Sequence, residues 1–308
     1  MLATLTEKRV SDPAWLFERK LDGERCLAFR KGGRVTTLSR NRLEVGTHYP
    51  EVVEALEAQD GPDFVIDGEV VAFDHGQTSF AKLQRRMQLR DPEAARRTGV
   101  AVFYYVFDVI HAAGFELSAL ELRHRKSVLR LLLEFERPIR FTTHRNAEGE
   151  DYYREACRKG WEGVIAKRAA SPYVAGRSRD WLKFKCVNSQ EVVIVGFTDP
   201  KGSRPGLGAL LIGYYEDGRL RYAGKVGTGF DQQMLRELRE RLGRMERGAS
   251  PVESAGLPRK GVHWVEPELV AQIGFTEWTP YGQLRHPRFE GLREDKSARE
   301  VIRERPAR

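Results

Sequence analysis

The chain is poor in cysteine. Cys26, Cys157 and Cys186 are odd in number and lack metal-ligand spacing, so no disulfide framework and no zinc site are expected, and a reduced cytoplasm is. Long apolar runs are missing too. None nears the ~18 residues that would span a bilayer, and no N-terminal signal pattern is present, so no membrane segment is expected. The stretch Gly202-Ser203-Arg204-Pro205-Gly206-Leu207-Gly208 is rich in glycine but lacks the Gly-Lys-Ser/Thr of a Walker loop, and it reads as an inter-strand loop. The seven histidines are scattered and read as surface or structural groups. Internal repeats and low-complexity tracts are absent.

What is present is length and charge. The 308 residues suffice for two domains, and 41% hydrophobic content suffices for their cores. A formal net charge of +8 favours a polyanionic partner, nucleic acid first, over the plain alternative of a solvated charged surface.

The pattern of the first half is mainly β. Trp15 and Phe17 alternate with polar neighbours, Leu27 and Phe29 repeat the alternation, and Asp22-Gly23 between them is a turn dipeptide, so a hairpin with Lys20 and Asp22 near its tip is expected. Lys31-Gly32-Gly33-Arg34 makes a second turn, followed by a strand over 35–38. Short helices are expected over 51–58, 79–89 and 150–159, and a helical connector over 117–135 with Leu120, Leu129, Leu131 and Leu132 inward. The 79–89 helix carries a basic solvent face that could meet phosphates. Strands are expected over 64–73 and 100–110. The first of these holds Asp67-Gly68-Glu69, two acids that are costly to bury without a partner, which favours a sugar or metal contact over a bulged strand edge. After Cys186 the pattern changes. Strands over 191–197, 210–215, 219–226, 264–270 and 272–278, with one amphipathic helix over 231–247, suggest a small β-barrel, the OB fold first.

Against this frame several charged clusters stand in order. Lys20-x-Asp22-Gly23-x-Arg25, preceded by Glu18, is followed by Ser39-Arg40-Asn41, by Asp67-Gly68-Glu69 and by Phe107-Asp108. Glu162-Gly163-x-x-x-Lys167, then Arg177, Lys183-x-Lys185 and finally Arg293-x-Asp295-Lys296 complete the series. Each alone passes for a solvated charge cluster or a core residue. Strand alternation puts Lys183 and Lys185 on one face.

Taken together and in order, these clusters resemble the motifs of the covalent nucleotidyltransferases, and within them the ATP-dependent DNA ligases, with the bacterial ligase C and ligase D group nearest. The resemblance covers almost the whole chain. It implies an α+β protein of two domains: an antiparallel-sheet nucleotidyltransferase (ATP-grasp-like adenylation) domain over 1–187 and an OB-fold domain over 188–308. It implies a DNA ligase (ATP), EC 6.5.1.1, that seals nicks or breaks in duplex DNA through a lysyl-AMP intermediate, in repair or end joining.

The same resemblance implies roles for the residues. Lys20 is the adenylated residue, with Asp22 either holding the metal's water or taking up the proton. Glu18 reads adenine and Arg25 the ribose. Arg40 lies near the nick 5′-phosphate, Glu69 holds ribose or metal, and Phe107 stacks on the purine. Glu162 ligates metal, Arg177 joins the nucleotide-binding residues, Lys183 and Lys185 bind the α-phosphate, and Arg293 and Lys296 orient the leaving pyrophosphate. ATP is the AMP donor, Mg2+ the metal, with Mn2+ a substitute. The expected setting is a freestanding monomer in the bacterial cytoplasm at the nucleoid, without polymerase or nuclease modules, and with a Ku-type end-binding protein as partner. Rival readings are an RNA ligase or GTP-dependent capping-type enzyme, and a noncatalytic OB-fold nucleic-acid-binding protein.

Overall fold

The computed structural model describes every residue except Gln88, Lys201, Ser203, Arg204, 254–256, Arg259, Ala307 and Arg308. Two residues of the glycine-rich 202–208 stretch, Ser203 and Arg204, therefore lie outside the described residues. The chain divides into two compact units, Met1–Cys186 with Arg305–Arg308, and Val187–Glu304.

In the first unit the elements run β1 (Leu2–Leu5), β2 (Trp15–Lys20), β3 (Glu24–Lys31), β4 (Arg34–Ser39), α1 (Pro50–Glu57), β5 (Phe64–Asp74), β6 (Gln77–Thr78), α2 (Phe80–Met87), α3 (Pro92–Arg97) and β7 (Val102–Ala112). They continue with β8 (Phe115–Glu116), α4 (Leu122–Leu132), β9 (Ile139–Phe141), β10 (His144–Asn146), α5 (Gly149–Arg158), β11 (Gly163–Arg168) and β12 (Arg177–Lys185). Two sheets form. One has the order β1-β12-β11-β2-β10, the other β4-β3-β5-β7-β8, with β6 on β5 and β9 on β7.

This corrects the expected hairpin. Strands β2 and β3 do not pair; the chain leaves the first sheet at Lys20 and enters the second at Glu24. Gly23 serves this crossing by close approach, because a Cβ there would run into the Val70 carbonyl oxygen. The Lys31–Arg34 turn is a true hairpin, with Gly32 and Gly33 both at positive φ.

Alternation decides what each face carries. On β2, Trp15 and Phe17 pack with Tyr152, Ala156, Val164, Ala166 and Phe184 in a core behind the first sheet. Leu16, Glu18 and Lys20 therefore face the other way. A second core gathers Cys26, Ile66, Val70, Tyr104 and Val106 with Val52 and Leu56 of α1 and Leu129 of α4. One expectation for the helices fails and another is narrowed. Leu131 is 89% and Leu120 41% exposed, outside the core that takes Leu129 and Leu132. On α2 Arg86 is buried, donating to both carboxylate oxygens of Glu51 at 2.5 and 2.7 Å and to the Val100 carbonyl at 2.8 Å, so only part of that helix's charge faces solvent.

A disulfide joins Cys157 at the end of α5 to Cys186 just past β12, with Cα atoms 5.1 Å apart. The expectation of free thiols is thereby corrected. The two half-cystines are separated by 29 positions and meet only because α5 packs behind β11 and β12. Cys26 is free and buried.

The second unit contains β13 (Asn188–Thr198), β14 (Leu210–Glu216), β15 (Arg219–Val226), α6 (Gln232–Gly243), β16 (Glu246–Arg247), β17 (Val262–Val265), β18 (Val270–Phe275), β19 (Glu277–Trp278), β20 (Leu284–Arg285) and β21 (Arg288–Leu292). The strands expected over 210–215 and 219–226 form as β14 and β15 and pair antiparallel across Asp217-Gly218. The two later strands shift: the chain breaks after Val265, around Pro267, and β18 starts at Val270. The long β13 serves two neighbours, β18 along 188–193 and β17 along 196–198, with β14 on its other edge. Asp231 caps α6, accepting from the Met234 N–H at 2.7 Å.

Candidate active site in the first unit

Between the inner faces of the two sheets of the first unit lies a cavity of about 130 Å3. From the first sheet it is lined by Ala3, Glu18, Lys20, Ile165, Lys167 and Trp181, and from the second by Arg25, Glu69 and Phe107. Thr142, between β9 and β10, also reaches it.

Lys20 ends β2 opposite Gly163 of β11. A side chain at Gly163 would strike the Phe184 carbonyl oxygen of β12, so glycine lets the three strands close up and brings the preceding Glu162 to the lysine. Lys20 Nζ and Glu162 Oε2 form an ion pair. Burial alone would weaken the amine's hold on its proton. The Glu162 carboxylate beside it, aided by Asp22 and Glu69, more than offsets burial and raises the lysine above its ordinary value. In this arrangement Lys20 is an ammonium.

Glu18, two residues earlier on the same face, is buried. Its Oε1 lies 2.6 Å from Lys126 Nζ and its Oε2 2.6 Å from Lys167 Nζ. Burial pushes its carboxyl up, but the two ammonium groups outweigh that and hold it below the usual carboxylate range. Lys167 is pulled down to about 8, by burial first and with Lys126 adding to the fall against the pull of Glu18. Its Nζ sits 4.1 Å from the Phe107 ring centre and 4.0 Å from that of Trp181. Phe107 and Trp181 meet edge to face at 5.8 Å.

Of the sequence-predicted residues, Glu18, Lys20, Arg25, Glu69 and Phe107 come together around this cavity. Arg25 does so with its guanidinium engaged: Nε donates to Asp67 Oδ1 at 2.8 Å, Nη2 donates to Asp67 Oδ2, and Nη1 donates to the Met1 carbonyl at 2.7 Å. Asp67 also accepts from the Tyr173 hydroxyl at 2.7 Å. The first acid of Asp67-Gly68-Glu69 is therefore a buried structural anchor, which corrects the reading of both acids as ligand groups, and the register of β5 on β7 shifts between it and Gly68. Lys183 and Lys185 share the face of Trp181 on β12 but do not line the cavity. Asp22, in the crossing segment, donates its backbone N–H to the Thr78 hydroxyl. Arg40 follows β4, and Arg177 opens β12 with Nη1 donating to the Ala3 carbonyl at 2.5 Å; neither lines the cavity. Arg293 and Lys296 belong to the second unit. Arg293 forks onto Asp295 with two 2.8 Å bonds, and Lys296 pairs with Glu191 at 2.9 Å.

Four residues of this neighbourhood carry no role in the sequence reading: Lys126, Thr142, Lys167 and Trp181. Lys126 is on α4, whose neighbouring Arg125 forms a fully buried fork with Asp108 at 2.7 and 2.9 Å. Nothing in a Leu-Arg-His-Arg-Lys helix announces that two of its cations point inward. The Thr142 hydroxyl and the Trp181 ring N–H are buried without a hydrogen-bond partner.

The donor set also bears on a metal. Among the described residues no three metal-ligating side chains cluster. Magnesium does not need three, since it binds through one or two carboxylates plus phosphate oxygens and waters. Glu162 and Glu69, both acting on Lys20, fit that requirement.

Two family models match the chain: one described as ATP dependent DNA ligase domain over residues 1–185, and one described as ATP dependent DNA ligase C terminal region over 203–296. The multifunctional non-homologous end joining protein LigD of Pseudomonas aeruginosa is 40% identical over 301 residues, covering 95% of this chain and 35% of its own length. The DNA ligase of Natronomonas pharaonis is 34% identical over 292 residues, 91% of this chain and 52% of its own. The chain thus spans about a third to a half of these relatives. A solved structure described as mycobacterial DNA ligase D complexed with ATP and MES is 34% identical, covers 98% of each chain and superposes with a TM-score of 0.68. The two units are a nucleotidyltransferase domain and a C-terminal OB-fold domain, and no helix among the described residues is long and apolar enough to cross a membrane. The chain belongs to the ATP-dependent DNA ligase family.

Proposed function

We propose that the protein seals breaks in duplex DNA with ATP, through AMP carried on Lys20. The observation that carries the reading is one primary amine at the edge of a cavity whose other walls hold an aromatic ring, a carboxylate and paired cations, in a chain of this family. In the first step Lys20 gives its proton to the Asp22 carboxylate or to water, the free amine attacks the α-phosphorus, a phosphoramidate N–P bond forms and pyrophosphate leaves. In the second a 5′-phosphate oxygen of the break takes AMP from the lysine. In the third the 3′-hydroxyl attacks that phosphate, the strand is joined and AMP departs.

Each chain residue has work consistent with its place. Lys20 becomes nucleophilic only when Glu162 releases it, which leaves a buried amine with its proton affinity lowered. Phe107 offers a ring face to the base and Glu18 an acceptor to its polar edge. Lys183 and Lys185 supply positive charge along β12, where phosphoryl transfer needs neutralisation more than acid–base work. Magnesium, held by Glu162 and Glu69, supplies further neutralisation of the phosphates when bound. Asp22 acts on Lys20 by its charge, and Arg25 shapes the wall through Asp67. Arg40 is assigned to the nick 5′-phosphate, Arg177 to the bound nucleotide, and Arg293 and Lys296 to the pyrophosphate.

Relatives named for non-homologous end joining support a setting in break repair. We place this chain on nicked or broken duplex DNA at the bacterial nucleoid, as a monomer, with a Ku-type end-binding protein as partner. Incubation with α-labelled ATP and magnesium, followed by addition of a nicked duplex, tests the reading. Label is expected on the protein first and on the DNA 5′ end next. Label taken from GTP and not from ATP would refute it.

A further inference from the structure

The Thr142 side chain is 5% exposed, and its hydroxyl has no hydrogen-bond partner although it belongs to the cavity wall. Its backbone is fully committed: the N–H donates to the Val106 carbonyl at 2.9 Å, and the carbonyl accepts from Lys126 Nζ at 3.1 Å. The residue is thus pinned from both ends, with one polar atom left over. Buried hydroxyls are nearly always satisfied, so an orphan on a cavity wall points to a ligand atom as its missing partner.

The same wall holds Glu18 and Lys167. An ionised carboxylate only accepts, an ammonium only donates, and a hydroxyl does either. Lys126 does not line the cavity. It fixes Glu18 from behind, with one contact to Oε1 and others to the Phe107 and Thr142 carbonyls, so one ammonium ties the carboxylate, the ring strand and the threonine together. Glu18 as acceptor and Lys167 as donor match an exocyclic amine next to a ring nitrogen acceptor, and the Thr142 hydroxyl can accept the amine's second hydrogen. They mismatch a carbonyl next to a ring N–H, where the oxygen would face the lone pairs of Glu18.

We propose that Thr142 is a substrate-binding residue whose hydroxyl takes one hydrogen of a 6-amino purine, that Glu18 and Lys167 beside it select this purine over a 6-oxo purine, and that Lys126 is the positioning residue that fixes Glu18 for this task. The proposal rests on the nucleotide-binding reading above and deepens it.

The test uses the full chain, magnesium, and α-labelled ATP and GTP, scored as label retained on the protein. Failure of the unaltered protein to take label from ATP would refute the functional reading itself, so the variants are compared only with a labelling parent. Thr142→Val keeps the shape and removes the hydroxyl. It should raise the KM for ATP about tenfold with kcat changed much less, while the melting temperature holds or rises, because an orphan polar atom has been removed. Thr142→Ser should restore the KM. Lys126→Met should lower the ATP-to-GTP ratio of kcat/KM about tenfold or more, as Glu18 loses its fixed orientation. An unchanged KM or a lowered melting temperature in Thr142→Val would overturn the role given to the hydroxyl. An unchanged ATP-to-GTP ratio in Lys126→Met would overturn the role given to the lysine.

Discussion

Replacing Asp67 by asparagine should destabilise the first unit severely, and replacing Glu69, two residues on in the same strand, should not. Asp67 is fully buried and accepts two bonds from the Arg25 guanidinium and one from the Tyr173 hydroxyl. Asparagine keeps the shape but turns one acceptor into a donor facing a donor, and it leaves a largely buried guanidinium without its counter-charge. Breaking a buried pair from one side costs about 3–5 kcal/mol. A domain of this size loses roughly 2–4 °C of melting temperature per kcal/mol, so a fall of roughly 6–20 °C is expected in calorimetry. Glu69 is half-buried on the cavity wall, and Glu69→Gln should cost less than about 1 kcal/mol while reducing protein labelling by ATP. A melting point for Asp67→Asn within about 3 °C of the parent would show that Arg25 finds another partner and that the anchor has been misread.

Three further outcomes are expected. Lys20→Ala should take no AMP label from ATP, checked by mass spectrometry of the intact protein, with a melting temperature lowered by only a few degrees. The second unit should lose stability in acid. Burial alone would push the Glu191 carboxyl up, but Lys296 and then Arg293 bring it down from 4.5 to about 2. A depressed carboxyl stabilises fully above its unfolded value, and that stability is lost as pH falls from 4.5 towards 2. With 29% of the side chain reached by solvent, the loss is about 2 kcal/mol, and Lys296→Met should remove most of the pH dependence in urea melts of this unit. Reducing the Cys157–Cys186 bond, which closes a span of 29 residues, should cost the first unit about 3 kcal/mol. Cys157→Ser should melt like the reduced parent and ignore added reductant; equal melting of the parent with and without reductant would count against the bond.

Much of the site was legible because strand alternation is a local rule. Trp15 and Phe17 against Glu18 and Lys20, and Leu182 and Phe184 against Trp181, Lys183 and Lys185, announce two faces without any knowledge of partners. The turn signal at Asp22-Gly23 was misleading for an equally local reason. A chain that crosses from one sheet to another uses the same residues as one that reverses within a sheet, and only the Val70 carbonyl beside Gly23 distinguishes them. The half-cystines were illegible because the packing of α5 behind β12, not their spacing, brings them together.

The buried charges mark the deeper limit. Glu18 and Lys126 are 108 positions apart, and Arg25 and Asp67 are 42 apart. In the sequence all four are charged residues of equal standing, and the motif pattern selects Glu18, Arg25 and the Asp-Gly-Glu triplet as ligand groups. Geometry divides them otherwise. Arg25 and Asp67 pair with each other, so Asp67 is spent on holding the wall, while Arg25 keeps a place on the cavity surface. Glu18 sits between two ammonium groups, which hold it ionised as an acceptor on the cavity wall. A motif therefore records which residues are needed around a site. It does not record whether a given charge faces the ligand or is cancelled to hold the wall, because that depends on a second residue chosen by the fold.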